Sequence, residues 1–191
     1  NRQRIYTRNH ACNRELCVMP DKNNIDLAIR GSENQNEEFY YMIAKITTIM
    51  NTTPEKLWKE ITKPSSLQYV AAPILYFYPL PGTDLNSKWE INKEYNLKLY
   101  FLKFIPFGFH KITVKNIDIP NNEIVSNESG LLANIWNHTI KFNSINSDQI
   151  NYTDIIEIRA GLLTIFIWLF SHFFYRHRQR KWKILLSNGI N

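Results

Sequence analysis

Residues 162–186 form the longest stretch of this chain with a helical period and neither proline nor glycine. At a rise of 1.5 Å per residue, a helix of about 25 residues runs for roughly 37 Å. Residues 162–175 are apolar nearly all round, and residues 176–186 are basic, with Trp182, Leu185 and Leu186 still available to pack. A helix that is apolar on every side needs cover, either from other protein elements or from lipid. The segments before it decide what that cover can be.

Those segments read as strands. Residues 43–50 (IAKITTIM) are short and rich in β-branched residues. Asn51-Thr52-Thr53-Pro54-Glu55 then gives a helix start, with Thr52 or Thr53 as cap, Pro54 in the first turn and Glu55 complementing the N-terminal dipole. The spacing of Leu57, Trp58 and Ile61 predicts a helix over 54–62, ended by Lys63-Pro64. A second short helix over 65–70 stops at Pro73. Strands are expected over 74–78, 95–104, 109–119, 123–129, 132–142 and 150–159. Between them lie the break Ile105-Pro106-Phe107-Gly108, the turn Pro120-Asn121-Asn122, a turn at Gly130 and a closing segment over 143–148. Short turns between successive strands indicate an antiparallel meander. The expected fold is therefore α+β. A curved antiparallel sheet of about seven strands (β-α-α-β6-α) wraps around the long C-terminal helix, so that each buries the other's apolar surface. A strongly curved sheet and a straight helix need not fill the space between them.

Composition agrees with a core of useful size. Hydrophobic residues make up 44% and aromatic residues 14% of the chain, and aromatics bring large burial area. The net charge of +6 would favour anionic partners only if clustered. The one dense cluster is Arg176, His177, Arg178, Arg180, Lys181 and Lys183, which reads as a solvated helix end. No recognition motif accompanies it, so nucleic acid is not an expected partner. With only six glycines and no phosphate loop or nucleophile elbow, dinucleotide cofactors are not expected either. Cys12 and Cys17 with His10 match no standard zinc spacing and lack a fourth ligand, so no metal is expected. Two cysteines without a disulfide framework, and no export signal, point to a cytoplasmic setting. The glycosylation tripeptides beginning at Asn51, Asn127, Asn137 and Asn151 are then chance matches.

Residues 1–41 differ from the rest. They are polar, and residues 31–38 (GSENQNEE) read as a linker. Met42 stands just before the first strand pattern, so residues 1–41 are expected to be an extension outside a domain spanning 42–191.

Over residues 42–186 the ordered set of segments resembles the START-like (SRPBCC, helix-grip, polyketide cyclase/dehydrase-like) superfamily, in its uncharacterised bacterial branch. The resemblance is carried by 51–58 (NTTPEKLW), Ile105-Pro106-Phe107-Gly108 with His110, Trp136-Asn137-His138, Tyr152-Thr153-Asp154, Ala160-Gly161-Leu162 and 175–182 (YRHRQRKW). It implies a helix-grip fold and a small hydrophobic ligand. It does not imply one reaction, because the superfamily spans carriers, sensors and enzymes.

Strand alternation locates candidate site residues. Trp136, His138, Ile140 and Phe142 share a face, as do Tyr152, Asp154, Ile156 and Ile158, and both faces are assigned inward. His138 and Asp154 would then meet on neighbouring strands. A carboxylate that orients an imidazole is the arrangement general-base catalysis uses. The simpler reading is that the two satisfy each other, or Tyr152, as a buried polar network. His110 shares a face with Ile112 and Val114.

The expected function is binding of a small hydrophobic molecule by a carrier or sensor, more a ligand-binding protein than an enzyme. Its cavity would be lined by Phe101, His110, Trp136, His138, Tyr152, Asp154, Phe166 and Phe170. One alternative is a cyclase or dehydratase using His138 and Asp154 as acid and base. The other is membrane-surface docking through residues 162–186. A spanning role is not favoured, because a membrane helix needs about 20 apolar residues and residues 162–175 contain Ser171 and His172.

Overall fold

A computed structural model describes residues 29–30 and 39–188. Cys12, Cys17, His10 and the linker expected over 31–38 lie outside the described residues. Ile29–Arg30 pairs with Phe39–Tyr40 as a two-residue antiparallel ladder. The main elements follow as β1 (Met42–Met50), α1 (Pro54–Ile61), α2 (Pro64–Ala71), β2 (Leu75–Pro79), β3 (Glu94–Phe101), β4 (Ile105–Asp118), β5 (Glu123–Gly130), β6 (Ile135–Asn146), β7 (Gln149–Arg159) and α3 (Thr164–Asn188). The seven strands form one antiparallel sheet in the order β1-β7-β6-β5-β4-β3-β2. With α3 across it, the molecule is the expected α+β helix grip.

Local chemistry sets the boundaries. Thr53, in extended backbone, caps α1 by accepting from the Lys56 amide at 3.4 Å, and Pro54 occupies the first turn. Pro64 does not only end α1. It also opens α2, where a missing N–H is harmless. The break expected at 105–108 is instead part of β4. Ile105 pairs with Phe101, Pro106 with Tyr100, and Gly108 with Leu99, which leaves Phe107 as the extra residue of a bulge. Gly108 takes a φ of +89° there, and a Cβ on it would lie 2.9 Å from the Leu131 side chain. The true turn is Leu102-Lys103-Phe104, with φ of 50° at Leu102 and 75° at Lys103. No Gly, Asn or Asp marks that turn, whereas the Pro-Gly pair in the strand imitates one. Likewise β6 runs on to Asn146, past the close expected at 143.

α3 follows a single 3-10 turn, Gly161–Leu163. Thr164 fixes its start, accepting from the Ala160 amide at 3.0 Å and donating to the Gly161 carbonyl at 2.7 Å. The helix packs directly on β1, β7 and α2. Side-chain donors tie it there. Trp168 Nε1 donates to the Ile43 carbonyl at 2.9 Å, Gln179 Nε2 to the Ile46 carbonyl at 2.8 Å, and His177 Nε2 to the Ala72 carbonyl at 2.9 Å. Against β3, β4 and β5 it makes no such close approach, and a hollow remains.

The two ends of the grip differ. At one end Met50, Leu57, Ile61, Phe142, Trp182 and Leu185 form a closed cluster. At the other the β3–β4 turn, the β5–β6 loop and the start of α3 converge. There Phe104, Phe109, Leu131, Leu162 and Phe166 are exposed, Leu162 at 98%. Burial of residues 162–175 in the sheet, expected from their composition, holds for one face of the helix only. Among the described residues no helix is long and apolar enough to cross a membrane.

Candidate functional site

The hollow between α3 and the sheet is a cavity of about 380 Å³. Most of its wall is apolar, with Leu75, Phe77, Leu99 and Ile112 from the sheet facing Phe170 and Phe174 from α3. Its mouth is ringed by Phe109, Leu131, Leu132 and Phe166 at the open end. Ile61, Ile140 and Trp182 line it toward the closed end.

Of the residues predicted to line a cavity, Phe101, His110, Trp136, His138, Phe166 and Phe170 do so. Tyr152 and Asp154 do not. Both are 0% exposed and lie behind the wall, because α3 presses directly on β7 and leaves no space over it. Phe166 sits at the mouth and is mostly exposed.

His138 and Asp154 do meet, as alternation required. His138 Nε2 and Asp154 Oδ1 are 2.8 Å apart. Asp154 also accepts from the Tyr152 hydroxyl at 3.1 Å and from Gln179 Nε2 at 2.9 Å. Burial, together with the Asp154 charge, pushes the Tyr152 hydroxyl well above its ordinary range. Asp154 is therefore the centre of a satisfied buried network joining β7, β6 and α3. His138 is the member that reaches the cavity.

A second polar group stands on the same wall. β5 pairs with β6 only from Glu123 opposite Lys141 to Ser126 opposite His138. Beyond Ser126 the ladder ends, and Glu128 projects into the cavity. Its Oε2 lies 3.0 Å from His110 Nε2 and its Oε1 accepts from Ser126 Oγ at 2.8 Å. Gly130 keeps this corner open, since a Cβ there would stand 3.1 Å from the His110 ring. Glu128 Oε1 is also 3.9 Å from His138 Nδ1. Burial works to raise the Glu128 carboxyl, but His110, His138 and Ser126 outweigh it and hold it below the ordinary range. His138 thus lies between two carboxylates.

The third group is Arg178. Its place in a basic run suggested a solvated helix end, yet it is 5% exposed and lines the cavity. Its guanidinium lies 4.7 Å from the Tyr175 ring centre and 5.8 Å from that of Phe174. Burial opposes its charge, and Tyr175, Asp154, Tyr152 and Glu128 together more than offset that. Tyr175 accepts from Trp136 Nε1 at 3.1 Å, and burial pushes its hydroxyl far above the ordinary range.

Glu128 and Arg178 were missed by sequence reasoning. In β5 polar residues occupy both faces beyond Val125, so alternation carries no contrast. The available signal was that Glu128 shares parity with Ile124. For Arg178 it was the spacing to Tyr175 and Trp182, three residues before and four after, on one helix face.

Comparison with known proteins places the fold. A START superfamily protein from Mycobacterium smegmatis superposes with a TM-score of 0.58 at 8% identity, covering 78% of this chain and 99% of that one. The Zhui aromatase/cyclase from Streptomyces sp. R1128 gives 0.52 at 7% identity, covering 76% and 91%. Norcoclaurine synthase from Thalictrum flavum, in complex with dopamine and hydroxybenzaldehyde, gives 0.56 at 10% identity, covering 79% and 89%. No curated protein matches the sequence. The fold is START-like, and, with the family model matching residues 48–184, the chain belongs to the family described as a domain of unknown function (DUF8410).

Proposed function

We propose that this protein binds a small hydrophobic molecule in the cavity under α3. The observation that carries the reading is the cavity itself, about 380 Å³ with an apolar wall and an apolar mouth. Ligand sites are typically concave, mostly apolar and oriented by a few polar groups. His110, Glu128, His138 and Arg178 are such groups here. The test is a titration with the neutral fluorophore N-phenyl-1-naphthylamine. Saturable one-to-one binding that is lost in Ile112→Trp, which fills the cavity, is the expected result. Unsaturable binding, or binding indifferent to Ile112→Trp, sinks the proposal.

A reaction in the same cavity is the second reading. It is favoured by one observation, that His138 stands on the wall with Asp154 at 2.8 Å behind it. In a cyclase or dehydratase role His138 would move the proton and Asp154 would orient the ring. Once a substrate is in hand, an unchanged turnover in His138→Ala rules this out.

Membrane-surface docking has its own support at the mouth. Residues 101–109, 130–136 and 159–173 hold Lys103 and Arg159 and no acidic residue. An apolar rim with cations suits an anionic bilayer surface. Flotation with phosphatidylglycerol vesicles, lost in Leu162→Ser with Phe166→Ser, is the expected outcome. No flotation with the unaltered protein ends this reading.

A further inference from the structure

Two cavity-lining residues each carry a buried donor with no acceptor among the described residues. Arg178 Nε and Trp182 Nε1 lie on side chains 5% and 2% exposed, both residues line the cavity, and neither atom has a hydrogen-bond partner among the described residues. The residues stand one helical turn apart on α3, so both project from the same face. Trp136 donates to Tyr175, and the polar groups of β4, β5 and β6 on this wall are engaged with one another or with Asp154. Ser126 and His110 serve Glu128, and His138 serves Asp154. A buried donor left unpaired is costly, and native proteins rarely leave one so.

What these donors lack is an acceptor rather than an anion. Tyr175, Asp154 and Glu128 already favour the Arg178 charge through space, although neither carboxylate makes an ion pair with it among the described residues. A third carboxylate from a ligand would be repelled by those two. A neutral carbonyl oxygen would accept from the donors without that repulsion. Around it the walls are aromatic and aliphatic out to the mouth.

Building on the cavity-binding reading above, we propose that the ligand is an uncharged apolar molecule bearing a carbonyl oxygen, which accepts hydrogen bonds from Arg178 and Trp182. The carbonyl sits on the Arg178–Trp182 side and the hydrocarbon points to Phe166 and Leu131. Trp182 supplies a neutral donor and Arg178 a charged one.

Displacement of N-phenyl-1-naphthylamine by 2-undecanone, undecane and undecanoate tests this. The ketone is expected to bind about tenfold tighter than the alkane, the gain of one well-made hydrogen bond to a buried donor, and tighter than the carboxylate. Trp182→Phe removes the indole donor together with part of the ring, and Arg178→Lys keeps charge while losing Nε. Each should shrink the ketone-over-alkane ratio. Equal binding of ketone and alkane by the unaltered protein overturns the head-group assignment, as does an unchanged ratio in both variants. A carboxylate that binds tighter than the ketone overturns its neutrality. Failure of every probe, the fluorophore included, overturns the cavity reading instead.

Discussion

The closed and open ends of the grip are built from the same residue types and do opposite things with them. At the closed end Leu57, Phe142, Trp182 and Leu185 are buried against one another. At the open end Phe109, Leu131, Leu162 and Phe166 are exposed around a cavity mouth. The difference comes from α3, which lies on β1 and β7 but stands off β3, β4 and β5. Apolar character alone therefore does not mark the core of this fold. Stability should reside at the closed end and access at the open one.

Four substitutions test that division. Asp154→Ala should have the largest effect, a loss of about 4 kcal/mol read from denaturant midpoints, because it strands the partners of a fully buried carboxylate. A cost below about 1 kcal/mol would mean the network is dispensable. Leu57→Ala, at a residue 0% exposed in the closed cluster, should cost about 3 kcal/mol. Glu128→Gln, nearer the open end, should cost about 1 kcal/mol at neutral pH. Its carboxyl is held below the ordinary range in the folded state, so its stabilising effect is present above that range and lost as pH falls through the lowered value. The gap between unaltered protein and Glu128→Gln should therefore close in acid. A gap that widens below pH 4 reverses the sign. Leu131→Ser at the mouth should change stability by less than about 0.5 kcal/mol. A loss near that of Leu57→Ala would erase the distinction between the ends.

The fold was legible because its signals are periodic. Alternation in β6 and β7 put Trp136, His138, Tyr152 and Asp154 inward, and the long apolar run located α3. What alternation cannot convey is which inward side chains face a void and which face a helix. Asp154 and Tyr152 share the inward face of β7 and are covered by α3, while His138 on the next strand is not. That contrast depends on the lie of the helix, which no strand encodes. Glu128 was hidden by a different cause. It lies where β5 leaves β6, in a stretch polar on both faces. Arg178 was hidden by its neighbours, since Arg176, Arg180 and Lys181 made a buried cation look like part of an exposed tract. The β3–β4 turn was misplaced because Leu102 and Lys103 adopt positive φ without any residue type that announces it.

The pairing of β1 with β7 has a consequence for how the chain assembles. Met42 lies opposite Ile158 and Met50 opposite Ile150, so the first strand of the seven-stranded sheet is matched to its last. α3, which locks onto β1 through Trp168 and Gln179, comes later still. During synthesis β1 must wait, unpaired at that edge, while roughly a hundred residues emerge. Closing so long a loop raises contact order and slows folding, whereas the β3–β4 and β6–β7 hairpins need only neighbours. The grip should thus be the final event of folding. An interrupted chain ending before residue 149 would present β1 as an open, β-branched edge, the kind of surface that aggregates or recruits a chaperone.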